Sequence, residues 1–353
     1  MKVIIGISHP KHVYVFRELY YKLINADHKV LILASEKEMT CELLDKFGMD
    51  YKKIGENQKR MIFKLIQAIK FFWLTLYYSL KFKPNMFLGV GYIHFALVSF
   101  LTRKPYVFIE DTEVAKRLHK ILLPFTDSFL TTNNFKNKIS SKQIRLYANL
   151  EMAYLHPKYR DLKKPENDSK YALLRFVSWE AFHDAGHSGL SNTAKLELVS
   201  ELSKYMKVYI ASEKTLTPEF EKYKLNIPSD KIHEFVEGAS LIVGESPTMT
   251  TEAAILGTPA ICISSWACEL GNFEELIERD LIYCYTPADE NMAIQKAVAL
   301  ASKKDVKIEW NKKAEKFVSE NIDLSCFLFW FVLSYPESHN KMKENPDYQL
   351  KFK

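Results

Sequence analysis

The segment from residue 241 to residue 263 constrains the fold of this 353-residue chain more than any other. Two short apolar runs, at 241–243 and 260–263, are typical of strands buried on both faces, as in a parallel sheet. Between them, residues 250–256 contain helix-forming Glu, Ala and Leu, and the pattern stops at Gly257 and Pro259. The spacing predicts a strand, a turn, a short helix and a second parallel strand.

Hydroxyl side chains are concentrated in the predicted turn. Ser246, Thr248 and Thr250 lie where the first backbone N–H groups of the helix lack partners and its dipole is positive. That position suits a phosphate or diphosphate, and Glu252, about one turn further on, is placed to accept hydrogen bonds from a ribose diol. The alternative is that these hydroxyls only cap the helix.

The same segment resembles the nucleotide-sugar signature in the C-terminal domain of GT-B enzymes. Its motifs are S-x-T-x-T-x-E-A, starting at Ser246, and L-G-x-P, starting at Leu256. They are similar in spacing to stretches of UDP-N-acetylglucosamine 2-epimerases and of the GlcNAc transferase that makes lipid II. The resemblance implies that the hydroxyl residues bind the diphosphate and Glu252 the ribose. Pro247 stands where both families have Gly, which removes one backbone N–H.

Further stretches at residues 8–12, 109–113, 173–190 and 232–249 resemble the family called domain of unknown function 354. Members of that family look like GT-B proteins of surface-polysaccharide loci. The resemblance runs from the 8–12 loop to about residue 330.

The chain is expected to be α/β and GT-B-like, with two Rossmann-like domains whose parallel sheets face a central cleft. Strands are predicted at 2–7, 29–34, 86–90, 106–109, 128–131, 171–176, 207–211 and 282–285, with helices between them. A polar stretch at 161–170 is the best linker, which gives an acceptor domain at 1–165 and a nucleotide-sugar domain at 166–322. Residues 323–353 are predicted to form a helix that returns to the first domain, followed by a loosely held polar tail.

Basic and acidic groups at strand ends supply the remaining donor candidates. Arg175 ends a predicted strand at its carboxyl edge, which faces the ligand crevice in open α/β sheets, and its guanidinium can bind a diphosphate. His183, Asp184 and His187 allow a metal site, but the glycines around them favour a loop, in which these residues either contact the sugar or order the loop. We therefore expect no metal and no cofactor beyond the nucleotide sugar.

Two residues compete for the role of catalytic base. His9 and His12 follow the first strand, and an imidazole with a pKa near ~6.5 can take a proton from an acceptor hydroxyl. His12 is favoured as the base and His9 as an acceptor contact, although either histidine could instead cap a helix that starts at residue 13. Asp111 is the competing base, with helix capping as its structural alternative.

The loop after the strand at 86–90 is a candidate acceptor site. Gly91, Tyr92 and His94 lie in a stretch similar to the G-G-Y-x-S loop of the lipid II GlcNAc transferase, and the resemblance implies that it faces a lipid-diphosphate acceptor. Glycines there allow close backbone approach.

Positive charge is concentrated in one stretch. Residues 57–109 contain eight Lys or Arg and no Asp or Glu, in a chain whose net charge is +6. A helix there is predicted to turn Ile62, Leu65, Ile66, Ile69, Trp73, Leu76 and Leu80 to the core, leaving Phe63, Phe71, Leu74 and Tyr78 on an adjoining face. Residues 59–83 are thus expected to lie on an anionic membrane surface. The alternative is a helix packed between domains, and nucleic acid is not expected as a partner because no recognition motif accompanies the charge.

The five cysteines form no Cys-x-x-Cys motif and are expected to be reduced thiols. The first strand begins at residue 2 with no apolar leader before it, so the protein is predicted to be cytoplasmic, with peripheral contact to the inner face of the plasma membrane.

These features together predict metal-independent transfer of a sugar from a nucleotide sugar to a polyprenyl-linked or glycan acceptor in surface polysaccharide synthesis. A UDP-sugar is the expected donor. A nucleotide-sugar 2-epimerase is the second candidate, although the first loop lacks that family's G-T-R-P-E pattern. A non-catalytic GT-B module that binds a sugar nucleotide is the third.

Overall fold

A computed structural model describes residues 1–56, 61–113, 116–160, 170–176, 189–212 and 216–353, with backbone only for 61–65. The described residues form two compact units. Unit 1 contains Met1–Tyr159 and Asn321–Lys353, and unit 2 contains Arg160–Glu320. The predicted α/β class with two parallel sheets is confirmed.

In the described part of unit 1 the strands form one parallel sheet of seven, in the order β3-β2-β1-β4-β5-β6-β7. The order reverses between β1 and β4, so the carboxyl ends of β1, β4 and β5 open onto a topological switch point, the usual place for a ligand. The strands are β1 (Lys2–Ile7), β2 (Lys29–Glu36), β3 (Tyr51–Glu56), β4 (Met86–Val90), β5 (Tyr106–Glu110), β6 (Ser128–Thr132) and β7 (Gln143–Leu146). The helices between them are α1 (Pro10–Asn25), α2 (Thr40–Lys46), α3 (Met61–Phe82), α4 (Phe95–Thr102) and α5 (Lys116–Leu122).

Helix α1 starts at Pro10 rather than at residue 13. His9 is its N-cap, and the His9 Nδ1 accepts a hydrogen bond from the Lys11 backbone N–H at 3.1 Å. Proline suits the first helical position because its missing N–H would have no partner there. Lys11 and His12 therefore lie in the first helical turn, not in a loop.

Helix α3 exposes the face that the sequence pattern assigned to the core, so that assignment is wrong. Ile66, Ile69, Trp73 and Leu80 are more than half exposed, whereas Phe71 is 1% exposed. Leu74 and Tyr78 also pack against the core. Leu76 is the one member of the predicted stripe with a described side chain that packs there.

In unit 2 the described strands form a parallel sheet of five, in the order β12-β11-β10-β8-β9. They are β8 (Tyr171–Phe176), β9 (Lys207–Ser212), β10 (Leu241–Gly244), β11 (Ala260–Ile263) and β12 (Ile282–Tyr285). The helices are α6 (Asn192–Leu202), α7 (Pro218–Glu221), α8 (Ile232–Gly238), α9 (Pro247–Ile255), α10 (Gly271–Glu278), α11 (Glu290–Ser302) and α12 (Val306–Glu320).

Cys268 and Cys284 are joined by a disulfide, so the prediction of five reduced thiols is wrong for this pair. Their Cα atoms are 5.7 Å apart although 16 residues separate them in sequence. The pairing of β11 with β12 places the loop that carries Cys268 next to Cys284, which the spacing alone does not reveal. Cys41, Cys262 and Cys326 are free.

The C-terminal segment packs on unit 1 through α13 (Leu324–Leu333), which contacts α1, and α14 (Glu337–Glu344). The prediction of a loosely held tail is wrong. A 3-10 turn over Pro346–Phe352 brings Gln349 to the end of β7, where its side chain accepts from the Tyr147 N–H at 2.7 Å and donates to the Arg145 carbonyl at 3.1 Å. The tail is held because it satisfies backbone groups beyond an edge strand.

Candidate functional site

The predicted donor turn lies at the carboxyl edge of the unit 2 sheet, between β10 and α9. Ser246 is the N-cap of α9, with its Oγ accepting from the Met249 N–H at 3.4 Å. The Thr250 hydroxyl donates to the Ser246 carbonyl at 2.8 Å and is buried. Capping is thus realised for these two residues. Thr248 is half-buried and makes no such bond among the described residues.

Arg175 lies beside this turn because of a close approach between two strands. Gly244 pairs in register with Arg175, and a Cβ on Gly244 would come within 2.7 Å of the Arg175 carbonyl oxygen. The next residue, Glu245, donates its N–H to that carbonyl at 2.9 Å. The glycine is therefore required by packing, and it brings the guanidinium-bearing strand end next to the hydroxyl-rich helix start.

Glu252 is paired with a histidine that the sequence reasoning missed. The Glu252 Oε1 lies 3.2 Å from the His233 Nε2, and both residues are nearly buried, at 6% and 5% exposed. His233 comes from α8 and lies in the stretch at 232–249 that carried the family resemblance. The pairing orients the carboxylate predicted to bind ribose.

A second ion pair that the sequence did not predict lies at the same edge of the sheet. The buried Glu245 carboxylate accepts from the Leu190 N–H at 2.7 Å and lies 3.0 Å from the Lys195 Nζ. Lys195 in turn lies 4.8 Å from the centroid of the Phe176 ring. Lys195 therefore neutralises the buried Glu245 carboxylate at this edge of the sheet. His183 and Asp184, like His187, lie outside the described residues.

Unit 1 holds a cluster of charged side chains at the carboxyl edge of its own sheet. The Lys11 Nζ lies 2.6 Å from the Asp111 Oδ2 and 2.7 Å from the Glu151 Oε1. The three side chains are only 11%, 15% and 2% exposed. Lys11 and Glu151 were not predicted. Asp111 was predicted as a base, and the structure pairs it with the Lys11 cation.

These contacts determine the protonation of the cluster. Burial alone would raise the pKa of Asp111, but the charge and hydrogen bond of Lys11 outweigh it and leave the pKa lowered. Burial raises the pKa of Glu151 despite Lys11. Burial acts to lower the pKa of Lys11, but both carboxylates raise it further. Lys11 and Asp111 are therefore ionised near neutral pH.

His12 lies beside this cluster and is neutral near neutral pH. Burial lowers its pKa to about 3, with the Asp111 charge opposing the shift and Lys11 adding to it. Its Nδ1 is enclosed and has no hydrogen-bond partner among the described residues. The His9 ring lies 5.7 Å from the His12 ring, between centroids. The structure therefore brings His9, His12 and Asp111 together, as their shared position after strands implied.

Glu110 sets the loop that carries Asp111. Its Oε1 accepts from the N–H groups of Asp111 and Thr112 at 3.1 and 3.0 Å, and its Oε2 lies 3.1 Å from the His119 Nε2. Burial raises the pKa of Glu110, and the His119 contact opposes that shift. The loop conformation after β5 thus depends on a buried polar pair.

The predicted acceptor loop is only partly available to a ligand. Gly91 has φ +55°, a conformation that favours glycine, and it is exposed. Tyr92 is 1% exposed and packs against Phe95, so its predicted acceptor contact is corrected to a core role. His94 is half-buried against the Phe71 ring, and burial lowers its pKa to about 4.

Residues 1–320 match the family model described as Protein of unknown function (DUF354). The chain is also 29% identical over 144 residues to the UDP-N-acetylglucosamine--N-acetylmuramyl-(pentapeptide) pyrophosphoryl-undecaprenol N-acetylglucosamine transferase of Buchnera aphidicola subsp. Baizongia pistaciae. That match covers 38% of this chain and 40% of the length of that protein.

Two solved structures illustrate the similarity of fold. The UDP-GlcNAc 2-epimerase from Neisseria meningitidis, bound to UDP-GlcNAc, has a TM-score of 0.64 at 14% identity, covering 97% of this chain and 100% of that chain. The spinosyn rhamnosyltransferase SpnG has a TM-score of 0.62 at 12% identity, covering 95% and 100%. Because the sequence identities are this low, the two structures are evidence for the fold alone. They confirm the GT-B-like prediction. Because the family model spans residues 1–320, this chain belongs to the DUF354 family.

Proposed function

We propose that this protein is a glycosyltransferase in surface polysaccharide synthesis. It transfers a sugar from a UDP-sugar donor to a lipid-linked or glycan acceptor. The observation that carries the proposal is the juxtaposition of Arg175, Thr248 and the start of α9 at the carboxyl edge of the unit 2 sheet. The partial similarity to a GlcNAc transferase supports the same reaction class.

The donor diphosphate would bind at the start of α9. The positive end of the helix dipole, the Thr248 hydroxyl and the Arg175 guanidinium would stabilise the charge that develops as the nucleotide diphosphate departs. Ser246 and Thr250 would hold the turn in shape. These groups would do the work of a cation, so we expect catalysis to persist in a chelator such as EDTA.

Glu252 would bind the donor ribose. Its contact with His233 orients the carboxylate, and the near-complete burial of both residues would make a hydrogen bond from a ribose hydroxyl strong.

His12 would accept the proton of the acceptor hydroxyl. Both candidates are weak bases in this structure, because Lys11 lowers the pKa of Asp111 and burial lowers the pKa of His12 to about 3. His12 is preferred because its Nδ1 has no hydrogen-bond partner among the described residues, whereas Asp111 is ion-paired with Lys11. The negative charge of Asp111 favours the imidazolium that results. His9, Gly91 and His94 would contact the acceptor.

Calorimetric titration with UDP and UDP-sugars tests the donor site. Arg175→Ala, Thr248→Ala and Glu252→Gln should each weaken binding by about 10- to 100-fold, the value of a hydrogen bond to a charged group. Ser302→Ala, at the exposed end of α11, is the control and should bind like the wild type. Unchanged affinity in all three site variants would refute the donor site.

The base is tested by turnover of the donor with acceptor present. His12→Ala should lower kcat by ~10²-fold or more with donor affinity retained, as expected for loss of proton transfer. If His12→Ala remains active while Asp111→Asn is inactive, Asp111 is the base.

A 2-epimerase is the second candidate, favoured by the similar fold of the Neisseria enzyme. Nucleotide released only when an acceptor is present indicates a transferase. Sugar isomerisation or nucleotide release without acceptor indicates an epimerase, and donor binding without turnover indicates a binding module.

A further inference from the structure

Exposed apolar side chains of unit 1 are concentrated on two helices. Trp73 and Leu80 of α3 are 61% and 62% exposed, and Phe100 and Leu101 of α4 are 59% and 54% exposed. Together with neighbours on the same helices and the preceding loop they form what we call the α3–α4 face: Ile66, Ile69, Trp73, Tyr77, Leu80, Ile93, Leu97, Phe100 and Leu101. Soluble surfaces seldom leave so many large apolar groups together.

The α3–α4 face is the outer surface of a well-packed layer. The opposite side of α3 carries Phe71, Thr75 and Ser79, which are at most 2% exposed. Phe95 and Val98 of α4 are fully buried in the same core as Phe71. The two helices contact each other over the sheet. Exposure of the outer residues is therefore a consequence of packing, since the inner positions are already filled.

The two helices themselves carry positive charge only, although Glu56 lies near Lys70 and Asp127 lines a cleft with Phe100 and Arg103 at the edges of the face. Lys70, Lys81, Lys83 and Arg103 are exposed on or beside the two helices, and no acidic residue occurs between Glu56 and Glu110. A second copy of the same face would bring like charges together. An anionic surface would instead neutralise them while covering the apolar groups.

We propose that the α3–α4 face docks unit 1 on an anionic lipid bilayer, with Trp73, Phe100 and Leu101 in the interfacial layer and the lysines and Arg103 at the headgroups. The proposed surface differs from the membrane segment predicted at 59–83 in two ways. It includes α4, and it uses the side of α3 that the sequence pattern had assigned to the core. Among the described residues no helix is long and apolar enough to cross a bilayer, so the contact is an interfacial one.

The test is co-sedimentation of the full chain with vesicles of phosphatidylcholine containing about 30% phosphatidylglycerol, a composition with strong negative surface potential. The wild type should bind at low salt and be released as added salt shortens the Debye length below about 10 Å. Trp73→Glu with Phe100→Glu should lower the apparent lipid affinity by at least about tenfold. Both sites are exposed, and circular dichroism should show that each variant is folded. Calorimetry with UDP, which should bind the variants and the wild type equally, separates failure of this proposal from failure of the donor site.

Matched controls lie on unit 2. Met292→Glu with Ile308→Glu alters two side chains that are 58% and 55% exposed and should leave vesicle binding unchanged. Lys70→Gln with Lys81→Gln should reduce binding and its salt dependence, whereas Lys303→Gln with Lys304→Gln should not. The proposal is overturned if the wild type ignores anionic vesicles at low salt or if both pairs of glutamate variants behave alike. A dimer in light scattering that the Trp73 and Phe100 variant dissociates would also overturn it, in favour of a second copy.

Discussion

Replacing Lys11 by Met should destabilise unit 1 more than any surface substitution. The change keeps an unbranched side chain one atom shorter and removes the cation that lies 2.6 and 2.7 Å from the carboxylates of Asp111 and Glu151. Two enclosed carboxylates would then face each other without a counter-charge. Breaking a buried ion pair in this way costs about 3–5 kcal/mol.

The loss should depend on pH with a defined sign. In the wild type the pKa of Asp111 lies below its usual 3.8, so its contribution to stability is present above that value and is lost as the pH falls through the lowered pKa. Without Lys11, burial raises the pKa of both carboxylates, and the folded state binds protons more readily than the unfolded one. The loss of stability that Lys11→Met causes, relative to the wild type, should therefore be smaller at pH 5 than at pH 8.

Hydrogen–deuterium exchange of β1 and β5 amides measures this effect within unit 1. A loss of 3–5 kcal/mol corresponds to protection factors lower by about two to four orders of magnitude at pH 8. Lys11→Met combined with Glu151→Gln should recover most of the loss, and Lys138→Met, at an exposed position, should change little. A deficit below about 1 kcal/mol at pH 8, or one that widens at pH 5, would refute the reasoning.

Three further changes probe local packing. Phe71→Ala should lower the stability of unit 1 by about 3–5 kcal/mol, because Phe71 is 1% exposed, whereas Trp73→Ala should cost less than about 1 kcal/mol; similar urea midpoints for the two would contradict the observed orientation of α3. Gly244→Ala should destabilise unit 2 by about 1–3 kcal/mol, since its Cβ would meet the Arg175 carbonyl at 2.7 Å, and a wild-type melting curve would show that the strands can move apart. Cys268→Ser should lower the free energy of unfolding by about 3 kcal/mol under oxidising conditions, as expected for a disulfide with a sequence separation of 16. Alkylation of the unfolded wild type without reductant should label three cysteines, and labelling of all five would exclude the disulfide.

Local patterns predicted most of the strands. Apolar runs bounded by turn residues placed β1, β4, β8, β11 and β12 at their observed limits. The strands that were missed, Tyr51–Glu56 and Gln143–Leu146, lie at the edges of the unit 1 sheet and contain polar residues in place of a continuous apolar run.

The candidate sites were predicted only as far as strand ends allow. Parallel strands bring their carboxyl ends to one edge, so Arg175 could be placed near Ser246, and His12 near Asp111, from the chain order of strands and turns. Pairs such as Glu245 with Lys195 and Glu252 with His233 have no periodic signal, because each joins residues from different elements.

The sequence by itself determined the α/β class, the chain positions of most strands and the concentration of positive charge at 57–109, because these follow from local periodicity and composition. Only the tertiary structure decided which side of α3 is exposed, since apolar residues occupy both sides and the filling of the core selects between them. It also decided that Lys11 meets Asp111 and Glu151, 100 and 140 positions away along the chain. Burial then determines which of these groups carries charge, and burial is a property of the folded chain.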